Sequence, residues 1–399
     1  MSDNRRVLIS GASIAGTTAA YWLHRHGFTP TVIERAPAIR EGGYKIDIRG
    51  AALDVVSRMD LLEEVRRHPT EVKNATIVDA RGRKVASLDA DGAGGREIED
   101  AEIMRGDLNR IIYEATKADV EYRFEESISA IEVGDDSVKV DFESGSAEEF
   151  DLVIGADGAH SNTRSLAFGP ETDYLHDLGY YVAIFSVPNH LGLDREELTY
   201  VGPGRTALTY STAGDTGAKA MFMFASDPLE YDHRDRNRQQ RLLSEAYAGE
   251  GWEVPKFLEA MADAPDFYFD SISQIRMDKW SNGRVALVGD AAYCASPASG
   301  QGTSLALVGA YVLAGEIAAA GGDTSGFEAY ERQLGHFVSV NQKLGPSNIK
   351  QMVLRSKMQV RMAMTFMSLM SRMPGKDRMT AKIVETIHQA ATAITLKDY

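Results

Sequence analysis

Asp290 follows the apolar run 285–288 and Gly289, and ahead of it lie Pro297, Gly300, Gln301, Gly302 and Thr303. A short run that is β-branched at both ends and closed by Gly-Asp suits a strand buried on both faces. Its carboxylate would then project at the carboxyl edge of a sheet, where open α/β folds take ligands. The glycines let backbone approach a ligand closely. Behind them, residues 302–320 are apolar enough for a buried helix, whose amino end carries free N–H groups and a partial positive charge. The guest such a place suits is an electron-rich carbonyl or an anion.

A second constellation opens the chain. Residues 5–10 read as a strand, 11–16 (GASIAG) as a Gly-rich turn, 14–26 as a helix and 29–33 as a strand ending at Glu34, with Arg35 beside it. That is βαβ grammar. The turn fits G-x-G-x-x-G except that Ser13 holds the middle position. Gly11 permits the tight turn, Gly16 lets the helix pack on the strand, and the helix start, with Ile14 and Ala15, would receive a pyrophosphate. The Ser13 hydroxyl could donate to a phosphate oxygen. Glu34 lies where an acidic side chain accepts the hydroxyls of an adenosine ribose. A solvated strand end would also carry a glutamate, but turn and βαβ context together favour dinucleotide binding.

A third segment, GADGAHSNTR at 155–164, follows an apolar strand at 150–154. It matches G-A-D-G-x-x-S-x-x-R at every fixed position. With the G-D-A-A, Pro, G-Q-G order at 289–302, these segments resemble the single-component FAD-dependent aromatic hydroxylases, the para-hydroxybenzoate hydroxylase-like group A flavoprotein monooxygenases. The resemblance implies that Asp290 holds the ribityl chain, that the helix amino terminus near Gly302 faces the flavin pyrimidine, and that Asp157 and Gly158 contact the pyrophosphate region. It also implies that Arg105, in an R-x-x-L segment ending at Leu108, reaches FAD. FAD would be non-covalent, with NAD(P)H as a transient co-substrate that has no domain of its own. Reduced flavin would add O2 to give a C4a-hydroperoxide, which passes oxygen to an aromatic or polyketide-like small molecule. No side chain is needed as nucleophile, so no catalytic residue is assigned, and no metal is expected. Residues 42–50 (GGYKIDIRG) resemble the tetracycline-inactivating branch. Where the family commonly has His, Asn and Asp, this chain has Tyr293, Ser304 and Gly309, which places position 293 beside the flavin as a tuning residue. The alternatives are a flavin halogenase or oxidase of the same fold, or an inert FAD-binding protein. The halogenase W-x-W-x-I-P segment is absent, since Trp22, Trp252 and Trp280 stand apart.

These segments require an α/β (mixed α+β) fold: a Rossmann-like FAD-binding domain, an inserted and mostly antiparallel β-sheet substrate domain, and a C-terminal helix. The expected division is 1–175 and 276–340 for the FAD domain, 176–275 for the insertion and 341–399 for the tail. Phe185, Tyr210, Phe222 and Phe224 are the aromatic candidates for a substrate-binding face, although each could equally be core. The methionines of the tail, Met352, Met358, Met362, Met364, Met367, Met370 and Met373, are expected mainly to pack a brace between the domains. At 399 residues burial is not limiting, and a net charge of −15 argues against nucleic acid as a partner. The one cysteine, Cys294, excludes an intrachain disulfide and reads as a small buried residue. The start carries no signal-peptide core and residues 305–320 are interrupted by Gly309, Gly315 and Glu316. The expectation is therefore a cytoplasmic enzyme without a membrane span.

Overall fold

Strands Arg6–Ser10, Thr29–Glu34, Leu152–Gly155 and Val285–Leu287 are apolar on both faces and form the buried centre of a six-stranded sheet. The computed structural model describes residues 5–40, 42–89, 95–370 and 377–399. In this sheet the order runs Ser281–Asn282, Val285–Leu287, Leu152–Gly155, Arg6–Ser10, Thr29–Glu34, Glu121–Phe124, and all pairs but the first are parallel. Parallel strands need crossovers, and helix Ile14–Arg25 supplies the one between Arg6–Ser10 and Thr29–Glu34. The run read as one strand at 150–154 is two: Ala147–Phe150 joins a three-stranded antiparallel sheet, and Leu152–Gly155 enters the parallel one. Glu121–Phe124 pairs parallel with Thr29–Glu34 at the edge of this sheet.

Helix Gly302–Ala319 lies against Ile14–Arg25, and Leu305, Leu307, Val308, Val312, Leu313 and Ile317 are all fully buried. Each such side chain contributes about 1.5–3 kcal/mol by leaving water. A helix apolar all round is buried all round. This one has the length and hydropathy of a membrane span, more than the sequence reading allowed, and 78% of it is covered by the protein itself.

The insertion builds a seven-stranded sheet in the order Tyr268–Ile275, Leu175–Pro188, Gly217–Ala225, Arg205–Tyr210, Glu196–Gly202, Asn74–Val78, Lys84–Asp89. Its last two strands come from the hairpin that precedes the third signature, so this sheet draws on chain well outside 176–275. Helices Arg236–Ala246 and Val254–Ala260 cover one face, where Leu242, Leu243 and Phe257 are buried. The carboxyl-terminal part is not one helix. It comprises Ser325–Gln342, Leu344–Met352, Lys357–Met370 and Asp377–Ala391. Met358 and Met362 are exposed at 69% and 65%, so this stretch does not brace the core as the methionine count suggested. Met364 and Met367 are half-buried, while Met373 lies outside the described residues.

Candidate active site

The signature segments on one side and the open face of the seven-stranded sheet on the other enclose a cavity of about 410 Å3. Of the expected cofactor residues, Gly11, Ser13, Ile14, Ala15, Glu34, Arg35 and Arg105 line it at one end, and Asp157, Gly158, Asp290, Pro297, Gly300, Gly302 and Thr303 continue the wall. Gly16 and Gln301 do not reach the wall. Gly16 is there for packing, since a Cβ would stand 1.9 Å from the Gly11 carbonyl oxygen. Gln301 is fully buried, and neither polar atom of its side-chain amide has a partner.

The first turn is held in a shape suited to an anion. The N–H of Thr17 is bonded to the Ser13 carbonyl, leaving the amides of the first helical turn without helical partners. Glu34 accepts from the Ala12 N–H at 3.0 Å and the Ala36 N–H at 2.9 Å, and its carboxylate oxygens keep lone pairs for further donors. Arg105 begins helix Arg105–Glu114 itself. Its guanidinium donates to Ser13 Oγ at 2.6 Å, which leaves the serine proton free to donate onward. Asn109, which sequence reasoning passed over, is buried one helical turn after Arg105. It donates to the Ala12 carbonyl at 3.0 Å and accepts from Thr17 Oγ1 at 3.2 Å, so it ties the turn to this helix. The i, i+4 spacing from Arg105 was the available signal.

In the third signature the fixed side chains mostly shape the backbone. Asp157 accepts from the Thr163 N–H at 2.8 Å and hydroxyl at 2.9 Å and from the Ser161 hydroxyl. Ser161 caps helix Asn162–Ala167. Arg164, fully buried, donates to the carbonyls of Ala291 at 3.0 Å and Ala159 at 2.7 Å, tying this loop to the one that carries Asp290. The result is bare backbone at the cavity: Gly158 and Gly300 have φ of +88° and +66°, and a Cβ at either would meet no protein atom within 4 Å.

Asp290 faces the cavity beside the amino end of Gly302–Ala319, where a Gly302 Cβ would lie 4.0 Å from its carboxylate. Burial pushes its pKa up, against the pull of the Arg105 charge. A ligand hydroxyl would relieve that cost. Asp290→Ala should fold normally and weaken FAD retention about 10–100-fold, the worth of a hydrogen bond to a charged group. Reconstitution of the apoprotein with FAD, followed by flavin fluorescence, measures it. An unchanged Kd would remove Asp290 from the cofactor site.

Two expectations fail on geometry. Tyr293 is not beside the cavity: its hydroxyl accepts from the Tyr330 hydroxyl at 2.9 Å and fills the space above Gly309, where a Cβ would lie 1.9 Å from it. Tyrosine and glycine are therefore one exchange of volume inside the core, not two changes around a flavin. Ser304, 1% exposed, is also outside the wall. The aromatic face is the second failure. Phe185, Phe222 and Phe224 point to the helix-covered side, with Phe185 and Phe222 stacked at 5.6 Å and Phe222 meeting Tyr247 at 4.8 Å. Side chains alternate along a strand, so it is their neighbours Val182, Ile184, Met221 and Met223, with Ile272 and Met352, that line the cavity. Tyr210 is turned the other way from Phe222, but it accepts from the Lys45 N–H at 3.1 Å and stays out of the wall. Tyr44, His160 and Tyr268 are in the wall and were not singled out. His160 occupies a variable position of its signature, and nothing in a strand's sequence marks Tyr268.

A dinucleotide cradle facing an aliphatic roof across one cavity is the construction of a flavin-dependent oxidoreductase. The chain belongs to the FAD binding domain family, whose model matches residues 4–194 and 253–338. A flavin-dependent monooxygenase of Legionella longbeachae is 41% identical over 346 residues, covering 86% of this chain and 89% of that protein. An uncharacterized protein of Mycobacterium tuberculosis, Rv1260, is 49% identical over 348 residues, covering 86% and 94%. Among solved structures, tetracycline destructase Tet(51) superposes with a TM-score of 0.87 at 37% identity, covering 99% of this chain and 100% of that one. The protein is thus an FAD-dependent enzyme of the flavin monooxygenase class, with the mixed α/β fold expected of it.

Proposed function

We propose that the chain hydroxylates an aromatic or polyketide-like small molecule, consuming one NAD(P)H and one O2 and releasing NAD(P)+ and water. The observation that carries this reading is the single cavity walled by the signature loops and by Val182, Ile184, Met221 and Met223. The likeness to a tetracycline destructase supports a fused-ring substrate. Bound FAD supplies hydride acceptance and oxygen activation. The chain's own part is to bind the cofactor, exclude water and orient the substrate. Glu34 takes the adenosine ribose, the amides of Ile14 and Ala15 with Ser13 and Arg105 take the pyrophosphate, and Asp290 takes the ribityl chain. The amino end of Gly302–Ala319, with its partial positive charge, steadies negative charge developing on the ring. The aliphatic face holds the substrate and keeps water from the reacting atoms. In this reading residues 176–275, joined by the hairpin from Asn74–Val78 and Lys84–Asp89, form the substrate-facing body. FAD is non-covalent, and the setting is cytoplasmic, in keeping with the lone, buried Cys294.

Turnover under 18O2 tests the reading. With tetracycline and simple phenols as trial substrates, the compound that accelerates NAD(P)H oxidation should gain one labelled atom, the other leaving as water. Label found only in hydrogen peroxide would identify an oxidase and overturn the monooxygenase reading.

A further inference from the structure

Tyr268 hangs from the edge strand Tyr268–Ile275 into the cavity and is 41% exposed there. Its hydroxyl is 3.0 Å from Asp270 Oδ2. Which of the two donates is fixed by what surrounds Asp270. That carboxylate, 7% exposed, also accepts from His160 Nε2 at 3.1 Å, the Ser271 N–H at 2.7 Å and the Tyr231 hydroxyl at 3.4 Å. His160 in turn is held on its other ring nitrogen by Glu171 at 3.0 Å. An imidazole between two carboxylates is a cation and donates from both nitrogens, so Asp270 is an ionised acceptor with no proton to give. The one proton of the Tyr268 hydroxyl is consequently committed to Asp270. Toward the cavity the phenol oxygen has only lone pairs.

We propose that Tyr268 is a specificity-determining residue that requires a hydrogen-bond donor, a phenolic or enolic hydroxyl, on the substrate edge facing it. The inference rests on the aromatic-substrate reading above and narrows it to hydroxylated rings. A donor completes the chain from substrate O–H through Tyr268 and Asp270 to His160. A carbonyl or ether oxygen at the same place would set lone pair against lone pair, and the phenol cannot turn its proton without leaving a buried carboxylate short of a donor. Sites built to hydrogen-bond a hydroxyl reject analogues that lack it.

The test is a titration of the FAD-loaded enzyme with 1-naphthol and with 1-methoxynaphthalene, read by the change in flavin absorbance. The wild type should bind the naphthol about tenfold more tightly than the ether, the worth of one well-placed hydrogen bond. Tyr268→Phe keeps the ring, and Asp270 keeps its other donors. It should bind both compounds equally, the naphthol more weakly than the wild type does and the ether no less tightly, with its FAD content unchanged. A purely structural role for Tyr268 would instead weaken both compounds together. Equal binding by the wild type, or a preference that survives in Tyr268→Phe, would overturn the inference alone. Binding of neither compound would overturn the aromatic-substrate reading and this inference with it.

Discussion

Gly16→Ala should yield a protein that retains less than about a tenth of the wild-type FAD and is destabilised by about 3 kcal/mol or more. The added methyl would lie 1.9 Å from the Gly11 carbonyl oxygen and 3.0 Å from its carbon, and both belong to backbone with no flexible end to swing aside. Relief requires the turn 11–16 to open or helix Ile14–Arg25 to lift from the sheet. Either movement carries the amides of Ile14 and Ala15 away from the cavity they line. Gly335→Ala is the matched control. It sits inside helix Ser325–Gln342, a Cβ there meets nothing within 4 Å, and alanine should be neutral or slightly stabilising. Flavin-to-protein ratios after gel filtration and urea unfolding curves would measure both. Full FAD occupancy in Gly16→Ala would show that the turn does not position the cofactor.

Raising the pH from 6.5 to above 9 should cost the wild type about 2 kcal/mol of stability that His160→Gln does not lose. Burial alone would lower the His160 pKa, but the hydrogen bonds and charges of Asp270 and Glu171 prevail and push it up to about 9 from 6.5. His233, with its ring centroid 3.7 Å away, Arg164, bonded to Glu171 at 2.9 Å, and the Tyr231 and Tyr268 hydroxyls on Asp270 also face the cluster. Burial pushes both carboxylates up, but the hydrogen bonds and charge of His160, joined at Glu171 by Arg164, outweigh it and hold both below their ordinary range. Because the folded-state pKa is the higher one, the stabilisation is fully present below pH 6.5 and disappears as the pH passes through about 9. The shift taken whole would be worth roughly 3 kcal/mol; the side chain is 28% exposed, and allowing for solvent screening leaves about 2. Urea midpoints of the two proteins from pH 6 to about 9.5 decide the matter. Parallel pH dependences would mean that His160 carries no stabilising proton.

That the signature loops would share one cavity was legible because what shapes each loop falls on consecutive residues. A tight turn, a helix start and an acidic strand end are each dictated by local backbone chemistry, and Gly11, Glu34 and Asp290 stand where those rules put them. The roof was harder. Both faces of Leu175–Pro188 and Gly217–Ala225 are apolar and largely buried over 180–185 and 220–224, so no polar alternation marks which is the cavity side. The aromatic residues are the conspicuous ones, and Phe185, Phe222 and Phe224 lie on the helix-covered face. What separates Phe222 from Met221 is the pair of helices packed later in the chain, a tertiary fact. Tyr293 and Gly309 mislead for a related reason: each is odd alone and explained only by the other. The long-range ties of Asn109 to Ala12 and of Asp270 to His160 cross 97 and 110 residues and have no periodic signature.

If the cavity takes the substrate as proposed, the division of labour within the seven-stranded sheet has a consequence for how such a chain diversifies. Its rigid stacked rings serve the fold on one face, while the cavity face presents the unbranched, polarizable Met221 and Met223 among aliphatic neighbours, with Met352 of helix Leu344–Met352 in the same wall. Methionine reshapes around irregular guests and tolerates exchange. Heritable changes of substrate range can therefore accumulate on one side of a single sheet while the other side keeps the protein folded.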